Sequence, residues 1–167
     1  IVLRQVEREY STDNPDQALK LVREALDLDP QSVAAREWRA RLQKESSQRA
    51  QQKRVKELVH LAEQARESGK FEEAATHLEL AQQIEPQSKT IQMLLKEVQS
   101  DLDRQQLKRL TGRARELFES YDYEGARSVL LQASAIDPAD DAVAALFAEI
   151  DEEEKRLAQS KAMQAVL

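Results

Sequence analysis

The sequence has no cysteine and few of the residues that end helices or fill aromatic cores. Without thiols there is no disulfide framework, no zinc–thiolate site and no cysteine nucleophile, and the redox compartment stays open. Three glycines and four prolines among 167 residues leave few positions at which a helix must stop. Because aromatic residues make up only 4% of the chain, we expect an interior of alanine and leucine rather than of rings.

Charge and hydropathy argue against two classes of main partner. A formal net charge of -6 disfavours nucleic acid and an anionic membrane surface. No uninterrupted apolar run approaches the roughly 20 residues of a membrane-spanning helix, so no membrane insertion is expected. The residues that dominate the sequence are alanine, glutamate, glutamine, leucine, lysine and arginine, which all favour helix. We therefore predict an all-α protein.

One helical pattern occurs three times in the chain. It consists of an alanine, three residues, a larger apolar residue, two residues, an alanine, four residues and a proline, and an acidic residue precedes each proline. The three copies are Ala18, Val22, Ala25 and Pro30; Ala74, Leu78, Ala81 and Pro86; and Ala126, Leu130, Ala133 and Pro138. The same internal spacing in three places indicates an internal repeat.

The middle copy and the residues before it predict a complete helical hairpin. Apolar residues recur every three or four positions from Leu58 to Ala65, which indicates the first helix. Gly69 is expected to end that helix in the left-handed conformation, and a second helix follows from Phe71 towards Pro86. Alanines where two helices cross let the axes approach to about 8 Å. A hairpin this thin needs neighbours to bury its faces.

These hairpins resemble the tetratricopeptide repeat (TPR) family, whose pattern is W-x2-L-G-x2-Y, then A-x3-F, then P. The corresponding positions are, in the middle copy, Leu58, Leu61, Ala62, Ala65, Ala74, Leu78 and Pro86; in the third, Leu110, Arg113, Ala114, Leu117, Ala126, Leu130 and Pro138; and in the first, Val2, Gln5, Val6, Glu9, Ala18, Val22 and Pro30. Arg113 departs from the family pattern, and in the first copy only the second helix matches it. The three prolines lie 56 and 52 residues apart, whereas the family repeats at about 34. The resemblance implies antiparallel helix pairs stacked into an array.

The resemblance also implies a site for a protein or peptide. In the family, peptides lie along the concave face formed by the first helix of each hairpin. In this chain the corresponding positions are Lys56, Val59, Glu63 and Arg66, and Lys108, Thr111, Arg115 and Phe118. Lys108 and Arg115 are the candidates for contact with an anion. The asparagines of the family's carboxylate clamp are absent from these positions, so a chaperone-tail ligand is not expected.

Between the repeated segments the sequence predicts unusually long helices. Residues 32–68 contain no glycine and no proline, which permits one helix of about 55 Å. Its middle, residues 43–54, is polar all round except for Ala50, which indicates either a solvated helix or a flexible joint. We favour the helix, with Glu45 and Arg49 paired across one turn.

Each predicted unit is a hairpin plus a third helix that runs into the next unit. The second such helix falls in residues 88–120, which contain one glycine and no proline. The predicted units are residues 1–54, 55–106 and 107–167. The predicted architecture is an array of three hairpins joined by long connecting helices, which would form an elongated α-solenoid or zigzag rod.

Several polar residues have predicted local partners. The expected helix N-caps are Asn14, Asp122 and either Asp140 or Asp141. The expected ion pairs in the acidic run near the C-terminus are Asp151 with Lys155 and Glu152 with Arg156, each at four-residue spacing. These pairs would make the run a solvated helix face rather than a binding site.

No arrangement for catalysis or metal binding stands out. The sequence has two histidines, His60 and His77. Glu57 and His60 form a Glu-x-x-His pair, but a di-metal bundle needs that motif twice. The isolated glycines form no phosphate loop, and no Ser-His-Asp arrangement is indicated. We expect no metal, no cofactor and no enzymatic activity.

The sequence therefore favours a non-catalytic interaction module. Because the chain begins at Ile1 rather than at methionine, we expect it to belong to a larger protein. There it would act as a scaffold that binds another protein or peptide through a helical-repeat surface. The alternative is a structural spacer or dimerisation rod whose length and stiffness are the function, which would make the chain a homo-oligomer.

Overall fold

The computed structural model describes residues 2–164, and this part of the chain is almost entirely helical. Helices make up 87% of it, and it contains no strand. Its seven helices are α1 (Val2–Ser11), α2 (Pro15–Leu28), α3 (Val33–Glu67), α4 (Phe71–Ile84), α5 (Lys89–Glu119), α6 (Tyr123–Ile136) and α7 (Asp141–Gln164). They pack mostly on their sequence neighbours as antiparallel pairs. The prediction of an all-α protein is confirmed.

The contacts divide the chain into two compact units. Unit 1 contains Ile1–Gln64 and Thr76–Ile91, and unit 2 contains Ala65–Ala75 and Gln92–Leu167. The predicted boundaries after residues 54 and 106 fall inside the continuous helices α3 and α5. Residue 1 and residues 165–167, at the ends of the first and third predicted units, lie outside the described residues.

The polar middle of α3 is helical. A single helix of 35 residues runs from Val33 to Glu67 and includes the whole of residues 43–54. Of the two alternatives for this stretch, the solvated helix is confirmed and the joint is wrong. α5 is likewise one helix of 31 residues, and Gly112 does not interrupt it.

α3 buries different faces in its two halves. In the first half, Leu42 is 1% exposed and packs against the buried residues of α1 and α2. In the second half, Val55 and Leu58 are buried. At 3.6 residues per turn, the step from Leu42 to Val55 carries the buried face to about the opposite side of the helix. Between these halves, residues 46–54 are all exposed.

Unit 2 has an aliphatic core to which three helices contribute. The buried residues are Leu110 and Ala114 of α5; Ala126, Val129, Leu130 and Ala133 of α6; and Val143, Leu146 and Ile150 of α7. Phe118, Tyr123 and Phe147 pack against this core from its edge and are only partly buried. The expectation of an interior without aromatic rings is confirmed for the described residues, but the interior is broader than alanine and leucine, because valine and isoleucine are buried as well.

The repeated pattern coincides with three helices of equal length. α2, α4 and α6 each have 14 residues. The nine apolar positions of the pattern are all buried: Ala18, Val22, Ala25, Ala74, Leu78, Ala81, Ala126, Leu130 and Ala133. The spacing of the pattern therefore places its apolar members on one inward-facing stripe of each helix.

The turns before α2, α4 and α6 share one backbone conformation. The residue with positive φ is Asp13 (56°) in the turn before α2, Gly69 (72°) in the turn before α4 and Tyr121 (64°) in the turn before α6. In each turn the amide of the positive-φ residue donates to the carbonyl oxygen of the residue three positions before it. The amide of the following residue donates to the carbonyl oxygen of the residue five positions before that residue. The N···O distances lie between 2.9 and 3.2 Å. This pair of backbone hydrogen bonds is a Schellman motif. The predicted left-handed helix end at Gly69 is confirmed.

Two of the predicted caps form and one does not. The Asp122 Oδ1 atom accepts from the Gly125 amide at 2.9 Å, and Asp140 Oδ1 accepts from the Val143 amide at 2.9 Å. The Asn14 side chain makes no cap bond. Its Nδ2 instead donates to Glu9 Oε2 at 3.2 Å. The Asn14 side chain that was predicted to cap α2 is therefore hydrogen-bonded to a residue of α1.

Tyr121 is the costly member of the three turn residues. A left-handed backbone costs a non-glycine residue roughly 1–2 kcal/mol, and the Tyr121 side chain, 80% exposed, has only an edge contact with Tyr123 to offset it. We expect Tyr121→Gly to raise the free energy of unfolding by about 1 kcal/mol, measured by urea unfolding. Gly69→Ala is the matched control and should lower it. Unchanged or lower stability of Tyr121→Gly would show that the ring contributes more than the strain removes.

Candidate functional site

The predicted binding face on α3 is only partly committed to contacts within the chain. Lys56 and Glu63 are exposed, and Val59 is half-buried. Neither Lys56 nor Glu63 has an ion pair within residues 2–164. The four residues recur at three- and four-residue steps, so they share one side of the helix. The fourth, Arg66, is half-buried and belongs to unit 2, in which its guanidinium is ion-paired.

The predicted face on α5 is largely occupied by contacts within unit 2. Arg115 forms a two-bond pair with Glu149 of α7, at 2.6 and 3.2 Å. Phe118 packs against the core, with its ring centroid 5.6 Å from that of Tyr123. The Thr111 hydroxyl donates to carbonyl oxygens of its own helix. Lys108 is exposed, as Arg115 is, but has no ion pair among the described residues. Of the two candidates for anion contact, Arg115 already has its charge compensated by a carboxylate.

In unit 1, four side chains tie α1 to α3. We call Tyr10, Trp38, Arg41 and Glu45 the Tyr10 cluster. The Tyr10 hydroxyl donates to Glu45 Oε1 at 2.8 Å, and Arg41 Nη2 donates to the hydroxyl oxygen at 2.9 Å. The Arg41 guanidinium lies 4.5 Å from the Tyr10 ring centroid and 5.2 Å from that of Trp38, within the range of a cation–π contact. The two rings meet edge to face at 5.3 Å.

The Tyr10 cluster changes the electrostatics of α3. The hydrogen bond from Tyr10 lowers the pKa of Glu45 below its usual value, and the hydrogen bond from Arg41 makes a smaller contribution in the same direction. A lowered folded-state pKa means that this stabilisation is present above the unfolded-state pKa and is lost as pH falls through the folded-state pKa. The predicted pair of Glu45 with Arg49 does not form, because Arg49 Nη2 donates to Asp13 Oδ1 at 2.8 Å. Asp13 is the left-handed residue of the first turn.

Unit 2 contains a contact at the same sequence separations. Arg66 Nε donates to Asp101 Oδ2 at 2.6 Å, and Arg66 Nη1 also bonds to Glu97. These partners lie 35 and 31 residues after Arg66, just as Glu45 and Arg41 lie 35 and 31 residues after Tyr10. This correspondence was not predicted from the sequence. The offset of 56 residues between Pro30 and Pro86 aligns these positions, but the residue types that it aligns differ.

A further set of ion pairs joins α6 to α7. Arg127 Nη2 bonds to Asp151 and, at 2.7 Å, to Glu154. Because Arg127 takes Asp151, the predicted pair with Lys155 does not form. Arg156 pairs with Glu153 at 2.8 Å, one three-residue step away on the helix, rather than with Glu152 as predicted. Most of the acidic run is thus engaged in structural pairs.

The described residues do not assemble a metal site. Residues 2–164 contain no group of three or more His, Asp or Glu side chains that could hold a metal ion. Two depressions in unit 2 have linings of polar and apolar side chains, one including Glu72, Leu102 and Arg109, the other including Asp103, Leu107, Ile136 and Asp137. Neither lining pairs a nucleophile with a base. None of the described helices is long and apolar enough to cross a membrane.

No family model, curated protein or solved structure matches the chain. The chain is an all-helical protein of packed helices with sequential contacts, and no family is assigned to it. The contacts described above are therefore the basis on which its function is proposed.

Proposed function

We propose that this chain is a non-catalytic interaction module that binds another protein on the surface of its helical hairpins, as a TPR-like scaffold. The observation that carries the proposal is the recurrence of one local design. Three helices of equal length follow three turns of one conformation. The first helix of a hairpin contacts a later helix at separations of 31 and 35 residues in both units. Repeated hairpins of this kind commonly serve as extended binding surfaces.

The residues that favour binding are those of the predicted face with no partner inside the chain. Lys56, Glu63 and Lys108 are exposed and make no ion pair within the described part. Val59 adds half-buried apolar surface between Lys56 and Glu63. Two charges of opposite sign beside an apolar residue suit a mixed, polar-rimmed protein interface. We assign Arg66 and Phe118, which are half-buried, to the support of this face, and Arg115 is exposed but already paired with Glu149.

The length of α3 favours a second candidate function, a structural spacer or dimerisation rod. Its 35 residues correspond to about 52 Å of continuous helix at 1.5 Å per residue. In that case the three hairpins would be arranged as an elongated array, and the chain would hold its neighbours apart or pair with a second copy. A maximum dimension in solution scattering close to that of a compact globule would contradict the elongated array.

Site-specific photo-cross-linking tests the binding proposal. A photoreactive amino acid at position 56 or 108 is expected to give a covalent adduct with another protein in the native host. The matched control positions are Lys20 and Lys161, which are also exposed and lie off the proposed face. Adducts formed only with a second copy of the chain would favour the dimerisation rod. No adduct at positions 56 and 108, or equal adducts at all four positions, would contradict the proposal.

A further inference from the structure

The middle of α3 carries a concentrated positive charge in an otherwise acidic chain. We call residues 44–56 the basic surface. It contains five basic residues, Lys44, Arg49, Lys53, Arg54 and Lys56, and one acidic residue, Glu45. The whole chain has 25 basic and 31 acidic residues, so acidic residues are in excess outside this stretch taken together. Residues 104–115 are a second basic stretch, with five basic residues and no acidic one.

The basic surface is open to solvent because of the change of buried face in α3. Residues 46–54 are exposed on every side of the helix. Arg49 is held by Asp13 at 2.8 Å, and Arg54 lies 3.7 Å from Glu57. Two of the five basic side chains, Arg49 and Arg54, are therefore paired with acidic residues outside the basic surface.

Three lysines of the basic surface remain uncompensated. Lys44, Lys53 and Lys56 are exposed, and no described residue forms an ion pair with them. The thirteen residues of the surface extend over about 20 Å of helix. That length suits a short acidic segment of comparable extent.

The composition of the basic surface discriminates among anionic partners. It contains no aromatic residue, so it offers no ring on which nucleic-acid bases could stack. Ala50 is its only exposed apolar side chain, because Val55 is buried. A helix that lies in a membrane interface needs an apolar face to insert. Protein carboxylates need neither feature.

We propose that the basic surface docks a short acidic segment of a partner protein. This inference rests on the proposed function, since the partner is a protein, but it uses a different part of α3 from Val59 and Glu63. Lys44, Lys53 and Lys56 supply the charge, and Arg49 and Arg54 add to the local potential. Binding of this kind weakens as salt screens the exposed charges.

Fluorescence anisotropy with a labelled peptide of about 15 residues of alternating glutamate and alanine tests the proposal. The full chain is expected to bind the peptide at low ionic strength and more weakly at roughly 0.15 M salt. The triple variant Lys44→Glu, Lys53→Glu and Lys56→Glu should weaken binding by about tenfold or more. The corresponding glutamine variant should show an intermediate loss, and circular dichroism verifies that both variants are helical.

The matched control changes the net charge equally at residues that are not part of the basic surface. Lys20→Glu, Lys89→Glu and Lys161→Glu replace three other exposed lysines and should leave most of the peptide affinity. Equal losses in the two triple variants would overturn the inference, as would tighter binding of an oligonucleotide or of phosphatidylserine vesicles than of the peptide. If cross-links at position 108 persist while the peptide fails to bind, only this inference is lost. Loss of both overturns the proposed function as well.

Discussion

Replacing Ala50 by proline is expected to lower the free energy of unfolding by about 3 kcal/mol or more. Ala50 lies in the interior of α3, in the stretch where every side chain is exposed. A proline there removes a backbone hydrogen bond, and its ring clashes with the carbonyl group one turn earlier. No packing is lost, so the whole effect reports on the helical backbone. Urea unfolding followed by circular dichroism at 222 nm measures it.

Two further variants separate backbone continuity from a general intolerance of proline in α3. Val33 is the first residue of the helix and is 67% exposed, and a helix does not need the N–H group of its first residue. Val33→Pro should therefore leave the stability almost unchanged. Ala50→Gly should cost about 1 kcal/mol. If Ala50→Pro is as stable as the native chain, residues 43–54 act as a joint in solution.

The helices could be predicted because their signals are local. Pro15 begins α2, Gly69 follows the end of α3, and the helix boundaries lie within a residue or two of the predicted ones. Apolar spacing, caps and glycines act over a few residues, so one sequence suffices to detect them. The same holds for the continuity of α3, since nothing between residues 32 and 68 breaks a helix.

The partners of charged side chains could not be predicted in the same way. Arg49 had Glu45 within reach on its own helix but bonds to Asp13, 36 residues away. An exposed pair four residues apart contributes only about 0.2–0.5 kcal/mol. A partner in another part of the fold that is already held in place, here in the turn between α1 and α2, can therefore replace it. Which helix comes close enough depends on the packing of the backbone, and residue spacing does not contain that information.

The correspondence between the two units was hidden by a change of chemistry. Tyr10 bonds to Glu45 and Arg41, whereas Arg66 bonds to Asp101 and Glu97. The sequence separations are the same, but the neutral Tyr10 is replaced by the cationic Arg66. The cationic partner Arg41 is replaced by the carboxylate of Glu97. A search for identical residue types does not detect such a pair. Arg66 and Arg115, which were predicted to lie on the binding face, also form bonds within the chain that the sequence did not indicate.

Leu130→Ala is expected to lower the free energy of unfolding by about 2–5 kcal/mol. Leu130 is fully buried in the core of unit 2, where side chains of α5, α6 and α7 surround it. The shorter side chain loses its transfer free energy and leaves a cavity that the aliphatic core fills only in part. Urea unfolding of the full chain, followed by circular dichroism, measures the change.

The adjacent residue supplies a control with the same chemical change on the same helix. Leu131 is 65% exposed, so Leu131→Ala should change the stability by less than about 0.5 kcal/mol. Leu78 holds the same place as Leu130 in the repeated pattern and is 1% exposed, and Leu78→Ala should therefore match the loss at Leu130. Equal effects at Leu130 and Leu131 would contradict the inward stripe of α6. A small effect at Leu78 beside a large one at Leu130 would mean that the repeated pattern is not matched by equivalent packing.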